Sequence, residues 1–137
     1  MRYEFTLDLV PVAKGRPRFR RFGNLITTYT PAATKKAEKA ISDQIKALYS
    51  EPPIEVGCYL DLEFHFSVPK SYTRKKRDML AADGYKHTIK PDCDNLAKTV
   101  LDALNGVLYK DDDLIHTLNI KKRYSDKDFI VVRIETA

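Results

Sequence analysis

The chain has 137 residues, 43% of them apolar, and carries a formal net charge of +5. This length and composition favour one globular domain, and two cysteines are too few for a disulfide scaffold. No segment is apolar enough to span a membrane and the N-terminus lacks the apolar run of a signal peptide, so we expect a cytoplasmic protein.

The first predicted elements are a strand and a basic β-hairpin. Residues 3–10 alternate apolar and polar side chains, as a half-buried strand does, and the hairpin turns at Gly23-Asn24. Phe19 and Phe22 interleave with the basic residues of the hairpin. The charge density favours contact with a nucleic-acid backbone, and the alternative is a polar hairpin whose aromatic side chains face the core. The basic residues are Lys14, Arg16, Arg18, Arg20 and Arg21.

A helix and a strand follow the hairpin. Thr30-Pro31 predicts a helix start, with Thr30 as N-cap and Pro31 in the first helical position, and an apolar stripe continues to about Tyr49. Residues 54–68 are rich in aromatic and branched side chains and predict a strand. We expect His65 in this strand to be packed or exposed rather than a ligand.

Residues 71–90 form a basic arm that leads to an acidic motif. A short helix opens at the basic run of the arm and ends at Asp83-Gly84. His87 has no partner at ligand spacing, so we assign it no binding role. The arm residues predicted to contact nucleic acid are Arg74, Lys75, Lys76 and Arg77.

The most informative segment is 90–98, which reads Lys-Pro-Asp-Cys-Asp-Asn-Leu-Ala-Lys. Pro91 disfavours a helix start, and in an extended segment Asp92 and Asp94 point to the same side. Lys98 lies four residues after Asp94, so on a helix the two project from one face. Two carboxylates beside a lysine indicate hard-cation binding and phosphodiester chemistry.

A helix over 95–105 is predicted next, with Asp94 as its N-cap and Gly106 in the stop position, and the acidic run 111–113 follows it. Crowded carboxylates in one fold usually need a cation, and their oxygens suit Mg²⁺. Removing the five acids at 92, 94 and 111–113 raises the net charge of the remainder from +5 to +10. A basic surface around an acidic pocket is the layout expected for metal-dependent cutting of nucleic acid. The six carboxylates of this region are Asp92, Asp94, Asp102, Asp111, Asp112 and Asp113.

Each of these features also has a plainer interpretation. On that interpretation, Asp94 serves only as an N-cap and Lys98 pairs with Asp102 on a solvated face. The run 111–113 is then a turn before a strand. These readings account less well for so many carboxylates within one segment of a basic protein.

The C-terminal region predicts two strands, 115–123 and 129–134, paired as a hairpin around residues 125–128. With no βαβ repeat and no glycine-rich phosphate loop, the fold class expected is α+β. It is a small single domain over 1–137, with a mixed or antiparallel sheet and two main helices.

The chain resembles RusA-type Holliday junction resolvases. The resemblance is carried by residues 90–98, by Leu101-Asp102-Ala103-Leu104-Asn105-Gly106-Val107-Leu108-Tyr109 with Asp111-Asp112 and Ile115, and upstream by Lys14-Gly15-Arg16-Pro17-Arg18 and Tyr29-Thr30-Pro31. It covers most of the chain, with the motifs in matching order and spacing. Asp113 adds a third acid to the usual pair.

This resemblance implies a small homodimeric endonuclease, often encoded by phages and prophages, that binds four-way DNA junctions and makes paired, symmetric, Mg²⁺-dependent nicks in opposing strands. By position, Asp92, Asp94 and Asp112 are expected to bind the metal, and Lys98 to be the essential lysine. Asp111 is the neighbouring acid, either a ligand or a support.

Three alternatives stay open. One is a branched-DNA-binding protein that does not cleave, and another is a Mg²⁺-dependent phosphohydrolase of small phosphates. The third is a flap-type nuclease of similar chemistry.

Overall fold

Six strands and three helices make up the protein, and the computed structural model describes all 137 residues. The predicted α+β class is confirmed, and no helix is long and apolar enough to cross a membrane. The elements are β1 (Arg2–Leu7), β2 (Arg18–Phe22), β3 (Leu25–Tyr29), α1 (Ala32–Leu48), β4 (Cys58–Ser67), α2 (Arg74–Ala82), α3 (Cys93–Leu104), a 3₁₀ turn (Asp112–Leu114), β5 (Ile115–Ser125) and β6 (Phe129–Thr136).

Four strands form the main sheet, in the order β1-β6-β4-β5. β6 runs antiparallel to both β1 and β4, whereas β5 runs parallel to β4. A parallel pair needs a long crossover connection, and this one contains α2, the acidic motif, α3 and the acidic run. Every carboxylate of the predicted site therefore lies on the crossover from β4 to β5.

Helices α1 and α3 pack against each other and, with the sheet, enclose the core. Strands β1, β4 and β6 each supply one row of buried side chains, and the helices supply apolar stripes. The buried residues that define this core include Phe5 and Leu7 of β1, Ile41 and Ile45 of α1, Leu60, Leu62 and Phe64 of β4, Leu96, Val100 and Leu104 of α3, and Ile130, Val132 and Ile134 of β6.

The prediction that the two C-terminal strands pair with each other as a hairpin is wrong, although both strands are present. β4 lies between β5 and β6, because its fully buried apolar residues require a neighbour on each side. The connection after β5 crosses the end of β4, where Asp128 Oδ1 accepts a hydrogen bond from the Ser67 N–H at 2.8 Å.

Two predicted element starts are also corrected. The N-cap of α1 is Pro31 rather than Thr30, because Pro31 is still extended with ψ 145°, and the helix begins at Ala32. The strand predicted from residue 54 begins at Cys58. Ile54 instead forms an isolated bridge to Tyr109, which ties this segment to the loop before the acidic run.

The sheet face opposite the helices carries an ion-pair network centred on Arg133. This guanidinium contacts Glu63, Asp61 at 3.2 Å and Glu4 at 3.4 Å. Buried carboxylates need such partners, so the network accounts for Asp61 and Glu63 structurally. His65 is packed in the same region, stacked on Phe129 with ring centroids 4.0 Å apart.

Candidate functional site

The segment before the acidic motif is held against the edge strand β5. The His87 N–H donates to the Lys122 carbonyl at 3.2 Å, and the Tyr124 N–H donates to the Tyr85 carbonyl at 2.7 Å. The Lys122 ammonium donates to the carbonyls of Ile89, at 2.5 Å, and Pro91, at 2.7 Å. Lys122 thus fixes the chain next to Asp92. Sequence reasoning missed this residue, because nothing in its local pattern indicates a distant carbonyl partner.

Helix α3 begins two residues earlier than predicted, with Asp92 rather than Asp94 at the N-cap position. A proline restricts the residue before it and not those after it, so Pro91 leaves Cys93 free to start the helix. Asp92 remains extended, with ψ 148°, whereas Asp94 lies in the first turn, where the helix dipole favours a negative charge. The predicted extended arrangement of the two carboxylates is therefore not observed.

Burial of one side of α3 directs the candidate side chains outward. Leu96, Ala97 and Val100 are buried in the core, and Asp92, Asp94 and Lys98 are exposed. Lys98 makes no ion pair, so the predicted alternative of a Lys98–Asp102 pair is not observed. Its ammonium is open to a ligand on the same exposed side as Asp94.

Tyr109 anchors the acidic run beside the C-terminal half of α3. Its ring is fully buried, and its hydroxyl donates to the Leu101 carbonyl at 2.8 Å. The Gly106 N–H donates to the Tyr109 carbonyl at 2.8 Å, and Gly106 adopts φ 73°, which suits a glycine. The chain then turns at Asp112–Leu114 directly into β5.

The acidic run has the electrostatics of a crowded site. Partial burial raises the pKa of the Asp112 carboxyl, and a hydrogen bond with Asp111 and the negative charges of Asp111, Asp102 and Asp113 raise it further. Neighbouring negative charges disfavour ionisation, and a bound cation reverses that effect.

Carboxylate oxygens are the donors that a hard divalent cation takes, so the residue types fit such an ion. The arrangement of these side chains does not form a complete metal site, since no group of three acidic, cysteine or histidine side chains converges in metal-binding geometry.

The basic hairpin β2–β3 projects as a two-stranded ribbon with nearly every residue exposed. Phe19 and Phe22 are 74% and 59% exposed, so the alternative that they face the core is not observed. Arg20 lies over the Tyr29 ring, 4.7 Å from its centroid. All four ribbon-region arginines are exposed: Arg16, Arg18, Arg20 and Arg21.

The basic residues of α2 divide into two kinds. Arg74, Lys75 and Lys76 are exposed, with the Lys76 ammonium 3.9 Å from the centroid of the Tyr72 ring. Arg77 instead donates to the carbonyls of Pro69 and Tyr72, both at 3.1 Å, which fixes the turn before the helix.

Lys14 is placed differently from the other basic residues of its motif. Its ammonium lies 2.6 Å from Glu38 and 3.0 Å from Asp102, between α1 and α3. Sequence reasoning missed both partners, because Glu38 and Asp102 both lie far from Lys14 along the chain.

The acid–lysine set on the crossover helix and the separate basic ribbon are features expected of proteins that act on nucleic acid. They indicate the class to which this protein belongs. The sequence model of the family described as "Endodeoxyribonuclease RusA" matches residues 8–135. The chain is also 32% identical over 133 residues to the uncharacterized protein YqaN of Bacillus subtilis (strain 168), covering 96% of this chain and 94% of that protein. The protein belongs to the RusA endodeoxyribonuclease family.

Proposed function

We propose that this protein is a Mg²⁺-dependent, structure-selective endodeoxyribonuclease that resolves four-way DNA junctions by paired symmetric nicks, in recombination or repair. The observation that carries the proposal is the exposed set Asp92, Asp94 and Lys98 on α3, with Asp112 beyond the same helix, in a chain that belongs to an endodeoxyribonuclease family. Because paired nicks require two equivalent sites, we also propose a two-fold homodimer.

The carboxylates assigned to the metal are Asp92, Asp94 and Asp112, with Asp111 beside them. These residues would hold Mg²⁺, which would supply a water of lowered pKa and neutralise charge at the scissile phosphate. Lys98, which has no ion-pair partner, stabilises the negative charge that develops on the phosphate oxygens. The exposed carboxylates leave room for the phosphate to approach from solvent.

The surface assigned to the DNA backbone comprises the ribbon and the exposed face of α2. Apart from Arg77, which binds backbone carbonyls, these two elements and Arg16 just before the ribbon carry seven exposed cationic side chains, which phosphates can reach without breaking an internal ion pair. A small phosphate substrate has no use for so extended a basic surface. The residues are Arg16, Arg18, Arg20, Arg21, Arg74, Lys75 and Lys76.

The experiment that tests this function compares a labelled mobile four-way junction with a linear duplex of matching sequence, each with Mg²⁺ and with EDTA. We expect paired nicks in opposing strands of the junction, only with Mg²⁺. Equal cutting of the linear duplex would contradict structure selectivity, and single nicks at flaps would favour a flap-type nuclease.

A junction-binding protein that does not cleave is the second candidate. The observation that favours it is the lack of three convergent metal-ligating side chains. Tight junction binding with no Mg²⁺-dependent nick on any branched substrate would support this candidate over the first.

A further inference from the structure

Lys14 joins three parts of the protein. Its backbone N–H donates to the Asn95 carbonyl in the first turn of α3 at 2.8 Å, and its ammonium binds Glu38 on α1 and Asp102 on α3. The next residue, Gly15, donates its N–H to Thr34 Oγ1 at 3.0 Å. Backbone and side chain therefore hold Lys14 against both helices, at the base of the ribbon.

The two carboxylates keep this lysine charged. Burial alone lowers the pKa of the Lys14 ammonium, and the hydrogen bonds and charges of Glu38 and Asp102 outweigh burial, so the pKa is raised. Two of the three N–H groups of this ammonium are taken by carboxylates. A DNA phosphate has access only to the third and is repelled by the two neighbouring negative charges.

Asp102 lies next to the acidic run and on the face of α3 that carries the acid–lysine set. It follows Asp94 by eight residues and Lys98 by four, a spacing that aligns all three along the helix. The Tyr109 hydroxyl binds the carbonyl of Leu101, the residue before Asp102, and so brings the chain of the acidic run to this point.

We propose that Lys14 is a positioning residue of the acidic site, which binds Asp102 and so keeps this carboxylate from becoming a metal ligand. The inference rests on the proposed function, since that function assigns Asp92, Asp94 and Asp112 to the metal. Lys14 acts only through Asp102 and contacts neither metal nor DNA.

The first test is calorimetric titration with Mn²⁺, without DNA, of the wild type, Lys14→Met, Asp102→Asn and the double variant. In Lys14→Met the released carboxylate adds one negative charge within about a Debye length of the metal ligands. We expect Mn²⁺ to bind about three- to tenfold more tightly, while junction cleavage slows because the ion shifts toward Asp102.

The other variants separate this role from a merely structural one. The double variant should match the wild type in Mn²⁺ affinity and cleavage, since it has the same net charge and no free carboxylate at 102. Asp102→Asn leaves Lys14 with one carboxylate fewer, and this extra positive charge should weaken Mn²⁺ binding by no more than about three- to tenfold. Lys39→Met is the matched control, because Lys39, like Lys14, binds a carboxylate of α1 at 2.6 Å, that of Asp43. It should match the wild type.

Three results would overturn the inference. One is loss of Mn²⁺ binding in Asp102→Asn, which would make Asp102 a ligand and is measurable even if Lys14→Met does not fold. Another is a double variant that cleaves the junction as slowly as Lys14→Met does. The third is a wild type that binds no Mn²⁺.

The second test measures how junction affinity falls with salt. Each phosphate contact adds about 0.9 to the slope of log affinity against log salt, so Arg18→Met should reduce the slope by about that amount. Lys14→Met should leave the slope unchanged, and a reduction equal to that of Arg18→Met would make Lys14 a DNA contact and refute the inference. Mn²⁺ affinity and the salt slope are both measured without cleavage. If both behave as expected while the wild type cuts no junction, the result would contradict the proposed nuclease and not the role of Lys14.

Discussion

At the scale of single residues, the candidate carboxylates differ in their surroundings. Asp92 and Asp94 are exposed at the start of α3, whereas Asp112 is half-buried among other acids. An aspartate-to-asparagine change keeps the shape of the side chain and removes its charge. It therefore separates a metal-binding role from a structural one.

We expect Asp92→Asn and Asp112→Asn each to reduce junction cleavage by about 100-fold or more, which is about 2.7 kcal/mol of transition-state stabilisation. Junction affinity without metal should stay the same, because the basic ribbon is unchanged. Gel-shift and nicking assays on the same preparations measure both quantities. Asp126→Asn, an exposed aspartate in the connection between β5 and β6, is the control, and retained cleavage in either test variant would remove that residue from the site.

We expect His87 to make the stability of the fold sensitive to acid. The ring is buried against Phe66 and Tyr124, at centroid distances of 4.2 and 4.8 Å, and its Nδ1 has no hydrogen-bond partner. Burial, and then the charge of Lys122, lower the pKa of His87. The folded protein thus favours the neutral ring, and the unfolded chain binds the proton more readily.

The stability that neutral His87 contributes is therefore complete above its ordinary pKa of about 6.5 and is lost as the pH falls through the lowered folded-state pKa. His65, whose pKa burial also lowers, acts in the same direction. We expect His87→Phe to show a smaller fall in the free energy of unfolding between pH 7.5 and 5.5, measured by urea denaturation. The exposed His116 provides the control variant His116→Gln, which should keep the full fall. An unchanged fall in His87→Phe would show that its ring is not the sensor.

At the scale of elements, the ribbon depends on a close contact at its base. A Cβ on Gly15 would lie 2.9 Å from Pro31 Cγ and 3.0 Å from Thr34 Oγ1. Such a contact forces the chain away from α1, because real side chains do not approach so closely. This gives a steric reason for the glycine in the basic motif and for its link to the Thr-Pro pair after the ribbon.

We expect Gly15→Ala to lower the free energy of unfolding by about 1–3 kcal/mol. Gly57→Ala is the control, since its Cβ would meet no atom closer than 3.4 Å, and its stability should stay level or rise by about 0.4–1 kcal/mol. Urea denaturation of both variants provides the comparison. A Gly15→Ala protein as stable as Gly57→Ala would mean that the chain at the base of the ribbon shifts to accommodate the methyl group without a loss in the free energy of unfolding.

At the scale of the whole molecule, the acidic segments of the crossover are separate from the basic ribbon and the basic helix α2. Five of its acids lie at 92, 94 and 111–113, while exposed cations extend along the ribbon and α2. A single chain has one such acidic site. Paired symmetric nicks therefore require two copies related by a two-fold axis.

We expect sedimentation equilibrium to give twice the 15.7 kDa mass of one chain without DNA, and that mass plus the mass of one junction when junction DNA is bound. A linear duplex that lacks a branch point provides the comparison for the DNA-bound state. A protein that stays monomeric under both conditions would contradict the proposed paired mechanism, while leaving single nicks possible.

Local sequence patterns determined most of the elements and the residue types of the candidate site. The turn at Gly23-Asn24, the end of α2 at Asp83-Gly84 and the end of α3 at Gly106 were all predictable, because glycine marks backbone conformations that other residues avoid. The positive φ angles of the three glycines, 59°, 71° and 73°, agree with that reasoning. The acid–lysine motif likewise needed only its own spacing to be recognised.

Tertiary structure alone decided which strands pair and which cations are engaged internally. β4 separates β5 from β6, Lys122 holds the carbonyls before Asp92, and Lys14 binds carboxylates on two helices. These partners lie far apart in the chain, and their contacts depend on how the core packs rather than on local propensity. A short pattern contains no information about a partner brought near by the rest of the fold.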